Sequence, residues 1–528
     1  MPTKSRRGMV VCPHHLASQV GVQTLERGGN AVDAAIATQA SLGVVYPHMT
    51  GLGGDAFWLV YDARAGKLHG LNGSGRAADK ATRALYNHQG HAAIPKRGPL
   101  AAITVPGAVS SWYKAHQRLG HLPWASLLAP AVEQAENGYP VTPSQVYWTR
   151  HNRHNFEQYS PIACPFLPQG TVPNSGDSLT NPDLAQTLRI LAAEGAPTFY
   201  QGPIAAQIAD YLASVGGVLN QQDFERHNCD WIEPLFTTYR GYRVAELPPN
   251  SQGFTVLQML NLIEPFDLQR LGHGTADYYH LLIEATKLAF ADRDRWLTDP
   301  DFVEIPTTEL ISKAYSDRRR PLLQLEKAGT YQAGCIGGDT VYTAVVDENG
   351  NAVSVIQSLY FDFGSTVVVP GTGFALQNRG SFFSLDSSHV NSLVPHKRTF
   401  HTLMPGMVLH PNGKPYLVFG TMGGEGQPQT HLALLTRTLD FCFDPQEAIN
   451  LPRWLWGRTW GETVTGLTLE GRIPSEVQRI LAGRGHQVTS APDWTEKMGH
   501  AHMILSCPET GEYEGGCDPR SDGAAIGL

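Results

Sequence analysis

Two β-rich segments, VYTAVVD at 341–347 and AVSVIQS at 352–358, are joined by Glu348-Asn349-Gly350. Such a pair closes as an antiparallel hairpin, because asparagine and glycine supply the left-handed backbone a tight turn requires. Two registers are open. With Asn349-Gly350 as a two-residue turn, Thr340 stands opposite Leu359; with a three-residue loop and Gly350 left-handed, it stands opposite Ser358. The second register is expected, since it sets two hydroxyls side by side on one face, where one can orient the other.

A threonine hydroxyl is a weak nucleophile without a base beside it. An amino-terminal threonine carries its own, because its α-amine titrates near ~7.7 to 8.0 and lies within reach of the same residue's hydroxyl. Inside a chain the nitrogen is an amide and has no basic lone pair. Thr340 is therefore expected to act only after the Asp339-Thr340 bond breaks, leaving a large piece, 1–339, and a small piece, 340–528, that begins with the nucleophile. Gly337-Gly338 before the bond offer the backbone freedom for the hydroxyl to attack the preceding carbonyl, although the same residues also read as a turn into a strand.

A tetrahedral intermediate also needs donors for its oxyanion. Gly420-Thr421-Met422-Gly423-Gly424-Glu425-Gly426 follows a strand and precedes a helix, so the amides of Gly423 and Gly424 are the candidates. The stretch has no P-loop lysine and no GxGxxG spacing, which argues against a nucleotide loop.

Elsewhere the first third reads as helical. Leu16–Arg27 ends at Gly28-Gly29, and Asn30 is placed to cap a second helix from Ala31 to Leu42. Helices are expected at 109–119, 124–136, 183–194, 204–215, 276–292, 430–439 and 475–482, with strands at 57–61, 242–247, 416–420 and 503–505. No linker or repeat divides the chain, so the expected class is layered α/β, with a mostly helical part in the first piece.

Composition narrows the function. With 42% hydrophobic and 17% charged residues and a net charge of -8 over 528 residues, neither nucleic acid nor an anionic membrane is called for. No apolar run approaches the about 18 residues that span a bilayer. MPTKSRRGMVVCPHH has too short an apolar stretch for a secretory signal, so a cytoplasmic location is expected. Seven scattered cysteines suit neither a disulfide framework nor a zinc cluster. His14-His15, the histidines of HNRHN at 151–155 and GHAH at 499–502 lack the HExxH arrangement, so no metal and no cofactor are expected. Trp454, Trp456 and Trp460 read as core or interface residues.

Taken together, GMVVCPHHLASQVGVQTLERGGNAVDAAIATQASLGVVYPHMTGLGGDAF, TVPGAVSSW, DTVYTAVVDENGNAVSV and GTMGGEGQPQ resemble the γ-glutamyltransferase family of N-terminal nucleophile hydrolases, over nearly the whole chain. The resemblance implies a four-layer αββα sandwich built by both pieces as an α/β heterodimer. It implies Thr340 as nucleophile, Ser358 as supporting hydroxyl and Gly423-Gly424 as oxyanion glycines.

Departures from the family bear on the substrate. Aligned on Lys80-Ala81-Thr82, Ser74 stands where the family arginine for the substrate α-carboxylate is expected; Tyr360 replaces an asparagine, and Ser381 stands at or near an acidic position. What replaces them is rich in donors: Tyr360, Arg379, His401 and Thr402, the last two in place of a serine pair, with Arg76 as a second arginine. Arg379 could take a carboxylate in bidentate fashion. The expected substrate is a small anionic amide without an ammonium group. The pattern is most similar to the subgroup containing oxamate amidohydrolase, which implies oxamate hydrolysis to oxalate and ammonia in purine and ureide degradation. Relatives described as cephalosporin or glutaryl acylases share the same NRG and FHT segments. A γ-glutamyl transferase with a rearranged pocket, or an uncleaved ligand-binding relative, are the other readings.

Overall fold

Side chains along the 340–360 hairpin alternate between two apolar environments, and this alternation sets the layers. Val341, Val345, Val353 and Val355 join a cluster built largely from helices, whereas Tyr342, Ala344, Val346 and Ile356 join one containing Phe57, Met407, Val418 and Ile504. A hairpin apolar on both faces has to lie inside a layered structure, with helices on one side and a second sheet on the other.

The computed structural model describes residues 1–160, 164–329, 339–457, 466–507 and 510–528. Its first large sheet has the order β19 (Ala524–Gly527), β2 (Gly8–Cys12), β10 (Asp339–Asp347), β11 (Ala352–Tyr360), β3 (Asp55–Asp62), β4 (Lys67–Gly73), β7 (Asp230–Ile232). The second has the order β1 (Thr3–Ser5), β18 (Glu512–Cys517), β17 (Ala501–Cys507), β13 (Pro415–Thr421), β12 (Gly406–Leu409), β9 (Tyr242–Glu246), β8 (Leu235–Tyr239). Small sheets are made by β14 (Trp454–Trp456), β15 (Leu467–Glu470) and β16 (Val488–Ala491), and by β5 (Tyr139–Pro140) with β6 (Ser178–Leu179).

Helices cover both outer faces. The helix Ala31–Val45 is buried along its whole length, and its small residues let it lie against β10 and β11. Asn30 starts it as expected: its side chain accepts from Val32 N and Asp33 N, and Asp33 returns a bond to Asn30 N, a reciprocal cap of roughly 1 kcal/mol. On the other side, Phe254–Ile263, Ala276–Trp296 and Gln427–Leu439 pack on Val244, Val408, Leu417 and Phe419. The layers thus run helix, sheet, sheet, helix, as expected.

The other expected helices form within a few residues of their bounds, for example Ala108–Leu119 and Pro182–Glu194. Ala276–Trp296 runs longer than expected because Arg293 and Arg295 in its last turn suit a helix carboxyl end. Trp454 is core, whereas Trp456 is half-buried; Trp460, Cys335 and Gly337-Gly338 lie outside the described residues. No described helix is long and apolar enough to cross a membrane.

Candidate active site

The hairpin adopts the expected three-residue register over most of its length. Val346 pairs with Ala352 and Val341 with Gln357, and Gly350 is left-handed at φ +82°. At Thr340 the ladder shifts: Asp339 pairs with Tyr360, so Ser358 and Leu359 together stand opposite Thr340. This bulge departs from the one-to-one Thr340–Ser358 pairing expected. It bends β11 where Tyr360 takes φ +87°, a conformation costly for any residue but glycine. Ser358 holds the bend, its Oγ accepting from Tyr360 N at 2.7 Å.

Ser358 pairs directly with Asp55 at the start of β3. Thr340, Ser358 and Asp55 therefore form a row across three adjacent strands at one end of the sheet. All three are buried, and Thr340 Oγ1 has no hydrogen-bond partner among the described residues.

The second sheet brings the glycine turn to the same end. Gly420 lies so close under the ring of Tyr342 that a Cβ there would stand 2.3 Å from a ring carbon, and Ser354 Oγ reaches Phe419 O at 3.5 Å. Following β10 back from Tyr342 to Thr340, and β13 forward past Thr421, leads to one end of the inter-sheet layer. There Gly423 (φ +123°) and Gly424 (φ +53°) take left-handed backbone that side chains disfavour. They lead through a short 3-10 turn into the helix Gln427–Leu439, whose amino end favours negative charge.

The turn is fixed from below. Gln252 Nε2 donates to Gly424 O (3.1 Å) and Thr402 O (2.9 Å), while Gln252 Oε1 accepts from Arg293 Nη1 at 3.2 Å. Arg293 also pairs with Glu425 at 3.0 Å. Arg453 donates to Met498 O and Gly499 O at 3.0 and 2.8 Å, holding the backbone against which Gly423 packs.

Arg379 is the buried cation of the site. Nη2 donates to Ser358 Oγ and Nη1 to Thr402 Oγ1, both at 3.0 Å, and its guanidinium lies 4.5 Å from the Tyr360 ring centre and 5.4 Å from that of Phe382. Its Nε has no hydrogen-bond partner among the described residues. Burial lowers its pKa to about 10, opposed by the charge of Asp55.

The other expected substrate contacts have partners of their own. Arg76 pairs with Asp299 at 3.1 Å and Asp301 at 2.5 Å and also donates to His396 O. His401 faces Asp55 Oδ2 through Nε2 at 3.1 Å, and its Nδ1 accepts from Leu403 N at 3.3 Å. Both ring nitrogens are thereby used within the protein, and burial, then the Arg379 charge, holds the ring well below its ordinary pKa. Ser74 bonds Asn72 and Asn250, and Ser381 bonds Asn378 O.

Asp55 is the residue sequence reasoning missed. Its Oδ1 accepts from Gly75 N, Gly107 N and Gln377 Nε2 at 3.2, 3.0 and 3.0 Å. Burial raises its pKa to about 6, opposed first by Arg379. The strand alternation that puts Phe57 on the inter-sheet face would have put Asp55 there too. Outside this site, His280, Glu284 and His486 could together hold a metal ion. Lys287 stands among them, however, 2.7 Å from Glu284 Oε1 and 3.3 Å from His486 Nδ1, and supplies the cluster's cation.

Two seven-stranded sheets packed face to face between helical layers, an αββα sandwich, make the fold of the N-terminal nucleophile hydrolase class. The chain belongs to the γ-glutamyltranspeptidase family, whose model matches residues 17–528. It is 47% identical to the glutathione hydrolase-like YwrD proenzyme of Bacillus subtilis (strain 168), over 98% of each chain. It is 41% identical to the oxamate amidohydrolase proenzyme of Klebsiella pneumoniae, over 99% of each. Among solved structures, a cephalosporin acylase from Bacillus halodurans matches with TM-score 0.93 and 40% identity, covering 100% of this chain and 97% of that one.

Proposed function

We propose that the chain cuts itself between Asp339 and Thr340 and that the paired pieces, 1–339 and 340–528, hydrolyse the amide of a small anionic substrate. The observation that carries this reading is the buried row of Thr340, Ser358 and Asp55, with Arg379 bonded to Ser358. In the mature protein the freed α-amine of Thr340 takes the hydroxyl proton as Oγ1 bonds to the substrate carbonyl carbon. The amides of Gly423 and Gly424 receive the oxyanion. Collapse breaks the C–N bond, the amine leaves with the proton, and water then releases the acid from the threonine ester.

Arg379 selects the acyl part. A buried guanidinium bonded, among the described residues, only to neutral hydroxyls and π faces suits a carboxylate. The nearby carboxylate, Asp55, already accepts bonds from two backbone amides, Gln377 and His401, and so is poorly placed to take a substrate ammonium group. Oxamate is the leading candidate, giving oxalate and ammonia in the degradation of purines and ureides. The names of the relatives keep two other readings, a γ-glutamyl hydrolase or transferase and a cephalosporin-type acylase. Ammonia release from a panel of ω-amido acids, run beside a γ-glutamyl anilide with and without dipeptide acceptors, separates them. Turnover of the anilide alone would overturn the anionic-amide reading.

A further inference from the structure

Asp55 and Arg379 are opposite charges buried in one site, yet among the described residues they close no ion pair. Gly75 N, Gly107 N and Gln377 hold Asp55 Oδ1, and Ser358 holds Arg379 Nη2; two adjacent residues hold the other carboxylate oxygen and the other terminal nitrogen. His401, which bridges to Ser251, and Thr402 are chain neighbours whose side chains reach different partners. His401 holds Asp55 Oδ2 at 3.1 Å, and Thr402 holds Arg379 Nη1 at 3.0 Å.

The histidine is itself fixed. Its backbone N donates to Asn250 O at 2.8 Å and its O accepts from Gln252 N at 3.1 Å. Its ring stands edge-on to Phe57, 4.7 Å between centres. The Leu403 amide on Nδ1 leaves the ring proton on Nε2, aimed at Asp55. Without the Nε2 bond Asp55 Oδ2 loses the donor His401 gives it, and in a water-poor interior the nearby guanidinium is the charge that can compensate it.

We propose that His401 is a positioning residue that keeps Asp55 off Arg379, so that Arg379 stays open as a subsite for the carboxylate of the substrate. This rests on the reading of Arg379 as the anion receiver. It moves His401 from the substrate contacts to their support. With His401 shortened, Asp55 turns to Arg379 and quenches the subsite.

The test compares KM and kcat for the ω-amido acid turned over fastest and for its neutral methyl ester, in the wild type and four variants. In His401→Ala the KM ratio of acid to ester should rise about tenfold, the scale of one charge-assisted contact. Asp55→Asn added to His401→Ala should restore the ratio, since no carboxylate is left to close the pair. His401→Gln, which keeps a donor for Asp55, should hold the ratio near wild type and serves if His401→Ala fails to fold. Arg379→Gln should abolish the preference for the acid. If Arg379→Gln leaves the preference intact, or no ω-amido acid is turned over, the underlying reading falls. If Arg379→Gln abolishes it while His401→Ala leaves the ratio unchanged, or the double variant fails to restore it, the role of His401 falls alone.

Discussion

Ser358 and Asp55 stand directly opposite each other in the ladder between β11 and β3, and Arg379 bonds the first while its charge acts on the second. The hydroxyl that holds the bend of β11 and the carboxylate whose charge acts on the buried cation are thus cross-strand neighbours, although 303 positions separate them in the chain.

Thr340→Ala should remain a single full-length chain on a denaturing gel, with no detectable amide hydrolysis, whereas wild type gives two bands. Thr340→Ser keeps a hydroxyl on the same backbone and should cut, more slowly. Cutting in the alanine variant would remove Thr340 as the attacking group.

After cutting, the pieces should stay together without denaturant. From Thr340 on, β10 and β11 belong to the small piece but lie between β2 and β3 of the large one, paired over four residues with β2 and over seven with β3. Native mass spectrometry should give one 1:1 particle; separate pieces would contradict this.

Ser358→Ala removes the acceptor for both Tyr360 N and Arg379 Nη2. Leaving buried donors unpaired costs about 1 to 3 kcal/mol each. A lower thermal midpoint together with a loss in kcat is expected, and an unchanged kcat would separate Ser358 from the chemistry.

Gly424→Ala forces a side chain onto backbone at φ +53°, in the turn proposed to receive the oxyanion. A fall in kcat of roughly a hundredfold or more, with KM little changed, is the signature of a lost oxyanion contact. An equal rise in KM would instead indicate a distorted substrate pocket.

Stability should fall as pH drops below about 6.5. His14, His227, His431, His486 and His502 are each lowered to about 3 by burial, and His273 and His500 to about 4. The unfolded chain takes up protons through this range while the folded one does not, so stability rises with pH there and is lost as pH falls. Asp55 and Glu496, raised to about 6 and about 7, act in the opposite sense together with Glu246, Asp292, Asp440 and Asp522, which burial also raises, but are outnumbered. Thermal midpoints from pH 4 to 8 check the sign, and a flat profile would contradict it.

Much of the scaffold was legible because it is local. Asn349-Gly350 and the apolar alternation announced the hairpin, while its register was chosen between two on the side-by-side hydroxyls; Asn30 and Asp33 announced a helix start; the left-handed turn at 423–424 needs glycines, and glycines stand there. The bulge at Thr340 was not legible, because it depends on Ser358 capping Tyr360 N in the folded sheet.

What the sequence alone determined were the elements and the left-handed glycine turn at 423–424, and it named the candidate nucleophile, since each rests on residues a few positions apart. Tertiary structure alone decided which charges meet. Asp55 reaches His401 across 346 positions and Arg76 turns to Asp299 across 223, because packing brings buried ionisable groups to whichever partner can satisfy them, and no local pattern records that choice.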